Sequence, residues 1–431
     1  MTNHFPVNFS YKKGEAYIGD VSLKDVVDQY GSPLYVLDSR TISHNCQQFL
    51  TPLSESYSNS RVLYACKANL TVGIAQFLYR LGMSFDVSSG GELFTLIKAD
   101  IPHDSIYFHG NNKTHSELKL ALDYGVTIIV DNLQELINLI QLNTTKKSVR
   151  VMLRIKPEID AHTHEYIKTG QLDSKFGSEK DDFKHFFKLF QSHSWIQFVG
   201  IHCHIGSQIF DTKPYYELID TMLPFMKHLV EDLGLEISEF NCGGGMGIFY
   251  SEGDSPFNIH DFIIDFTSYI VKQFEAFSIP PPMLLFEPGR SIIGNAGITI
   301  YQVGTVKHIL NIKSYIFVDG GMADNIRPLL YDAQYMVDKV FKKNLPTQPY
   351  SIAGKFCESG DILVDDAMIE EVSVGDYLIV FSTGAYNYSM ASNYNRNCRP
   401  AMVLIDGSTV VPLLTRETYD DLLRFDCRFN G

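Results

Sequence analysis

A chain of 431 residues that is 45% apolar, with 29 phenylalanines and 24 tyrosines, is too long for one ordinary core and predicts two domains. Its formal charge of −14 argues against nucleic acid or an anionic membrane as a general partner, so an anionic small molecule would need a locally basic pocket. The seven cysteines are odd in number, scattered and without C-x-x-C spacing, which disfavours a disulfide framework or structural zinc and points to a reducing compartment.

The opening M-T-N-H-F-P-V-N-F-S lacks a basic-then-apolar signal pattern, and no run is long enough to span a bilayer, so a cytosolic soluble protein is expected. Residues 1–32 predict a short strand at Ala16–Ile18 and a helix at Leu23–Tyr30, ended by Gly31 ahead of Pro33. Eight short apolar, β-branched or aromatic runs follow: Val62–Cys66, Ser84–Val87, Ile106–Phe108, Thr127–Val130, Val149–Ile155, Phe198–Cys203, Glu239–Cys242 and Met283–Phe286. Amphipathic helical stretches separate them, among them Val72–Leu81, Gly91–Ala99, Ser116–Tyr124, Leu133–Leu142, Asp182–Gln191, Tyr215–Leu233 and Ile259–Phe277. Such alternation implies parallel strands buried on both faces, and eight is the number that closes a (β/α)8 barrel. A doubly wound open sheet has the same alternation.

The loops after these strands favour the barrel. Lys67, S-S-G-G-E (88–92), H-G-N-N-K (109–113), Asp131, K-P-E-I-D (156–160), H-I-G-S-Q (204–208), G-G-G-M-G (243–247) and E-P-G-R (287–290) are polar or glycine-rich, and in a barrel all of them converge on one mouth. After Arg290 the helical signals thin out. The runs Ile298–Val306, Ser314–Val318, Ile362–Leu363, Tyr377–Phe381, Met402–Leu404 and Val410–Leu413 predict a mostly antiparallel β domain. The expected organisation is a barrel over 33–290 and a β domain over 291–431, which residues 1–32 join.

Val62–Asn69, V-L-Y-A-C-K-A-N, is an apolar run ending in one lysine. Lys67 either snorkels to solvent or supplies an amine that can lose its proton and condense with a carbonyl. Gly243, Gly244 and Gly245 suit a loop whose N–H groups approach a phosphate, and equally a tight turn. His204 could lie flat on an aromatic ring or move a proton, and Ser207 could donate to a phosphate. His202 and His204 share a strand face, as metal ligands would, but no third ligand matches and no metal is expected. Glu287 and Arg290 fit either a carboxylate that keeps a pyridine nitrogen protonated or a surface pair about Pro288 and Gly289. Cys357 beside Glu358 is a proton donor or a small buried thiol. Arg327 and Tyr331, in R-P-L-L-Y, suit a carboxylate or a solvated turn. Tyr386, in a loop rich in Asn and Tyr, could reach a phosphate.

In this order and spacing, Y-x-C-K-A-N, H-C-H-I-G-S-Q, C-G-G-G-M-G, F-E-P-G-R, R-P-L-L-Y, C-E-S-G-D and G-A-Y-x-Y-S-M-A-S-N-Y-N resemble the diaminopimelate decarboxylases, pyridoxal-phosphate enzymes with the alanine racemase-type barrel. The resemblance runs from the thirties to the four-hundreds. It implies decarboxylation of meso-2,6-diaminopimelate to L-lysine and CO2, the last step of lysine biosynthesis, with pyridoxal 5'-phosphate as cofactor. Lys67 would carry the cofactor covalently and His204 would stack on its ring. Ser207, Gly243, Gly244, Gly245 and Tyr386 would hold its phosphate, and Glu287, followed by Pro288, Gly289 and Arg290, would meet the pyridine nitrogen. Arg290, Arg327, Tyr331 and Tyr386 would bind substrate, Glu358 would take its distal ammonium, and Cys357 would return a proton to the carbon that loses CO2. The resemblance also implies a homodimer in which Cys357 and Glu358 come from the other subunit.

Three stretches depart from the family pattern: G-K-F before Cys357, Tyr335 where histidine is common, and D-G-G-M-A-D-N in place of D-A-G-M-N-D. A paralogue acting on a related D-amino acid or a carboxylated polyamine is the enzymatic rival. A pyridoxal-phosphate-binding regulatory pseudo-decarboxylase is the other, although such proteins usually lose the lysine or the proton donor.

Overall fold

The eight predicted runs form eight parallel strands. A computed structural model describes residues 5–159 and 174–429, so Asp160, at the end of the K-P-E-I-D loop, lies outside the described residues. The chain divides into two compact units, Asn45–Gly247 with Ser255–Ser291, and Met1–His44 with Ile248–Asp254 and Ile292–Gly431.

In the first unit the strands are Ser60–Ala65, Ser84–Val87, Ile106–Phe108, Thr127–Val130, Val149–Arg154, Ile196–His202, Glu239–Asn241 and Met283–Phe286. They close into a barrel in chain order, the last pairing with the first so that Leu284 faces Ser60 and Phe286 faces Val62. The apolar runs are continuous because each strand is covered on both faces. Leu63, Tyr107, Ile129, Met152, Val199 and Leu285, from six different strands, form one buried cluster, so the barrel is packed through. The helices begin directly after the strand-end loops with side-chain caps: Thr71, Ser89, Thr114 and Asn132 each accept from a backbone N–H three residues on, and Thr114 with Glu117 completes a capping box. Each cap also fixes the end of a loop at the barrel mouth.

The second unit holds a nine-stranded sheet. Its long strand Gly297–Ile309 pairs antiparallel with Leu34–Asp38, Tyr377–Phe381 and Lys313–Val318. Most pairings are antiparallel. Ala401–Asp406 with Leu34–Asp38, and Thr347–Ala353 with Lys313–Val318, run parallel. Phe9–Lys12, Glu15–Ile18 and Val21–Ser22 make a small separate sheet.

The observed elements differ from the expected ones in places. Leu34–Asp38, within the stretch assigned to the barrel, joins the nine-stranded sheet, where all five residues are buried. Ile248–Asp254 also groups with that unit. The first barrel strand ends at Ala65, and Cys66–Ala68 form a 3-10 turn that leaves Lys67 exposed rather than at the end of a buried strand. Ile362–Glu370 is nine residues long, and Val337–Lys339 and Thr347–Ala353 are strands that the sequence reading left out. Among the described residues no helix is long and apolar enough to cross a membrane.

Candidate active site

At the carboxyl end of the barrel, neighbouring loops are tied together by backbone. Ala65 N–H donates to the Pro288 carbonyl at 3.1 Å, and a Cβ on Gly289 would crowd Ala65 and Ala68, so E-P-G-R lies directly against the turn that carries Lys67. The Tyr64 hydroxyl closes that turn on the Asn69 carbonyl at 2.7 Å. Glu287 N–H donates to the Gly243 carbonyl at 2.8 Å. A Cβ would overlap Cys203 carbonyl oxygen at Gly243, Glu287 carbonyl oxygen at Gly244, and Gly206 carbonyl oxygen at Gly245. All three glycines are therefore required by close approach of the last three strand-end loops, independently of any phosphate.

Glu287 is buried at 7% exposure and accepts three hydrogen bonds. His109 Nε2 lies 2.7 Å and Asn241 Nδ2 2.6 Å from its Oε1, and His202 Nε2 lies 3.0 Å from its Oε2. Burial opposes its ionisation, but the two histidines hold its carboxyl well below the usual carboxylate range. The strand pattern puts His202 and His204 on one face without a third ligand. The structure instead groups His202 with His109 and Glu287, whose candidate ligand atoms all lie within 4.8 Å of one another. Asp86 is close by, its Oδ1 3.5 Å from His109 Nε2, and burial with the charge on Glu287 pushes its carboxyl well up.

His204 follows this group on the sixth strand's loop. Burial and the positive charges of Lys67 and Arg154 push its imidazole well below the usual range, so it is neutral. Its Nδ1 accepts from Gly244 N–H at 3.3 Å, which leaves the ring proton on Nε2. Buried Arg290 donates through Nη2 to Ser207 Oγ at 2.9 Å, placing a guanidinium and a hydroxyl together. An amine for a carbonyl, a neutral imidazole face, an ionised carboxylate and a guanidinium–hydroxyl pair are the groups a phosphorylated pyridine aldehyde requires, and the barrel mouth holds all of them.

The remaining predicted residues belong to the second unit. Arg327 is buried at 8% exposure, its guanidinium carbon 5.3 Å from the Tyr331 ring centroid, 5.5 Å from that of Tyr386 and 5.8 Å from that of Tyr250. Its Nε donates to the Tyr335 hydroxyl at 3.0 Å, so the tyrosine that departs from the family pattern meets the arginine. Tyr386 adopts a left-handed φ of 62°, unusual outside glycine. Cys357 and Glu358 are exposed on a loop shaped by Asp361, whose carboxylate accepts from Phe356 N–H at 2.8 Å and Met322 N–H at 2.6 Å. Cys357 N–H donates to Asn395 Oδ1 at 2.8 Å. In D-G-G-M the unusual Gly320 also has a physical reason, because a Cβ there would overlap the Tyr301 ring.

The sequence reading assigned no role to His109, Asn241, Asp86 or Arg154. The signal for His109 was present, since H-G-N-N-K follows a strand. Asn241 and Asp86 sit within strands and carried no signal of their own.

Residues 39–294 match the family model described as pyridoxal-dependent decarboxylase, pyridoxal binding domain. A diaminopimelate decarboxylase from Synechocystis sp. is 44% identical over 96% of this chain and 91% of its own. One from Bacillus subtilis is 40% identical over 96% of each. Among solved structures, diaminopimelate decarboxylase from M. jannaschii in complex with L-lysine superposes with a TM-score of 0.91 at 32% identity, covering 99% of both chains.

Proposed function

The chain belongs to the pyridoxal-dependent decarboxylases, among the diaminopimelate decarboxylases, and from that premise we propose which of its residues carry the reaction. The enzyme decarboxylates meso-2,6-diaminopimelate to L-lysine and CO2 with pyridoxal 5'-phosphate. The single observation that carries the residue assignment is Glu287, an ionised carboxylate fixed by three donors in the barrel mouth whose edge bears Lys67.

Pyridoxal phosphate, when bound, supplies the electron sink for the pair left behind as CO2 departs. Lys67, exposed on its turn, offers the amine that would hold the cofactor. His204 presents a neutral ring face. Ser207 and Arg290, with the loop of Gly243, Gly244 and Gly245 and with Tyr386, would hold the phosphate, although the Gly243 and Gly244 N–H groups already donate to Asn241 Oδ1 and His204 Nδ1. Glu287 would meet the pyridine nitrogen, where an ionised carboxylate favours the protonated ring. Pro288 and Gly289 keep Glu287 and Arg290 against the Lys67 turn.

Arg327 and Tyr331 take a substrate carboxylate, and Glu358 takes the distal ammonium; together they suit a zwitterionic far end. Cys357 returns the proton. The exposure of Cys357 and Glu358 supports a homodimer in which each loop completes the partner's site. The charge of −14 supports a small-molecule role without nucleic acid or membrane, and the scattered cysteines support a cytoplasmic location.

The test is CO2 and lysine release from meso-diaminopimelate, with the visible absorption of the bound cofactor followed in parallel. Lys67→Ala should abolish both turnover and the absorption band. Cys357→Ala should keep the band and lose turnover. A Lys67→Ala enzyme that retained both would overturn the assignment.

A further inference from the structure

Two buried carboxylates, Asp86 and Glu287, flank the same imidazole at the barrel mouth, and their surroundings are unequal. His109 Nε2 is 2.7 Å from Glu287 Oε1 but 3.5 Å from Asp86 Oδ1, so its one N–H serves Glu287. Asp86 Oδ1 is buried and has no hydrogen-bond partner among the described residues. Two like charges this close cannot both be held cheaply away from water, and the one with donors is the one that ionises.

Each donor to Glu287 is itself fixed. Asn241 Oδ1 accepts from Gly243 N–H at 2.9 Å, so its amide can turn only Nδ2 toward the carboxylate. His202 Nδ1 is buried without a partner among the described residues. A proton there would be an unmade N–H bond, so the proton sits on Nε2, aimed at Glu287 Oε2. The His109 and His202 rings meet edge to face at 4.4 Å, which limits rotation of either. A carboxylate offers about four lone-pair sites, and these three donors leave one for a further N–H.

We propose that His109, His202 and Asn241 are positioning residues that make Glu287, and not Asp86, the ionised carboxylate, and thereby set the proton on the cofactor's ring nitrogen. The inference rests on the reading of Glu287 as the partner of that nitrogen. The opposite directions in which the Asp86 and Glu287 carboxyls are pushed agree with it.

The test loads the enzyme with pyridoxal phosphate carrying 15N in the ring and reads the ring nitrogen by NMR, since its shift reports protonation directly. Wild type should show a pyridinium signal. His202→Leu and Asn241→Leu should move it toward the unprotonated position, whereas His202→Gln, whose amide can replace the Nε2 donor, should restore it. Turnover in the two leucine variants should fall about 10- to 100-fold in kcat with little change in KM, as for other outer positioning groups. If a leucine variant does not fold, the smaller Asn241→Ala removes the same donor and should move the signal in the same direction. Cofactor-loaded variants that keep the wild-type signal would overturn the proposal. Glu287→Gln separates the two levels: if it leaves the signal unchanged, the reading of Glu287 itself fails, and if it alone moves the signal, only the role of the three donors fails.

Discussion

Arg327 Nε donates to the Tyr335 hydroxyl at 3.0 Å, inside a ring of tyrosines that leaves this buried guanidinium without a carboxylate of its own among the contacts described. A buried cation held by phenols and aromatic faces keeps its position while its charge remains available to an anion. Tyr335→Phe removes one hydrogen bond to a charged group and leaves the rings. The expected result is a KM for diaminopimelate raised roughly fivefold to tenfold, with kcat within about a factor of two. Steady-state kinetics decide it, and an equal fall in kcat with unchanged KM would place Tyr335 in the chemical step instead.

Asp361 organises the thiol's loop. Its two carboxylate oxygens take Met322 N–H and Phe356 N–H, and Gly354 N–H bonds back to its carbonyl at 3.0 Å. Asp361→Ala should leave the loop at 354–361 without its internal anchor. The cofactor absorption should be unchanged while kcat falls at least about tenfold, because on the proposed assignment this loop carries the proton donor and no group that holds the cofactor. A loss of cofactor affinity of the same size would show that the anchor acts more widely.

The barrel was legible because its strands are short apolar runs between long amphipathic ones, and because each ends in residues too polar to be buried without a task. Leu34–Asp38 is not among the predicted runs and falls inside the barrel boundary only because that boundary starts at residue 33; L-Y-V-L-D is fully buried, and its partners Gly297–Ile309 and Ala401–Asp406 lie far along the chain. The order of motifs made Lys67, His204 and Glu287 readable as a set. The donors around Glu287 were not readable, since His109, His202 and Asn241 lie 178, 85 and 46 residues from it in sequence. The glycines were found by pattern, but the pattern alone could not separate phosphate binding from the backbone crowding that requires all three.

Gly244 provides a test of that crowding. A Cβ would overlap the Glu287 carbonyl oxygen, which is backbone and cannot swing aside. Gly244→Ala should therefore destabilise the fold by about 1–3 kcal/mol as an overpacked site does, and displace Glu287 at the same time. The expected readings are a lowered Tm of the apo chain and a weakened affinity for pyridoxal phosphate. Weakened affinity with an unchanged apo Tm would instead assign the glycine to phosphate contact alone.

His202 should also leave a mark on acid stability. Burial, with the neighbouring positive charge of Arg154, pushes its imidazole down to about 4, against the opposing pull of Glu287. In the unfolded chain the ring takes a proton near its ordinary value of about 6.5. Between those values the unfolded state binds a proton that the folded state refuses, so stability is lost as pH falls from about 6.5 to about 4, and the ring has no such effect above that window. The loss attributable to this one ring is up to about 3 kcal/mol at the acid end. His202→Gln keeps a donor toward Glu287 but cannot titrate. Its Tm should therefore decline less steeply than that of wild type over this window, whatever the offset between the two curves at neutral pH. Parallel curves would mean that the folded protein accepts a proton on His202 at ordinary pH, and that the His202–Glu287 contact is an ion pair rather than a neutral imidazole donating to a carboxylate.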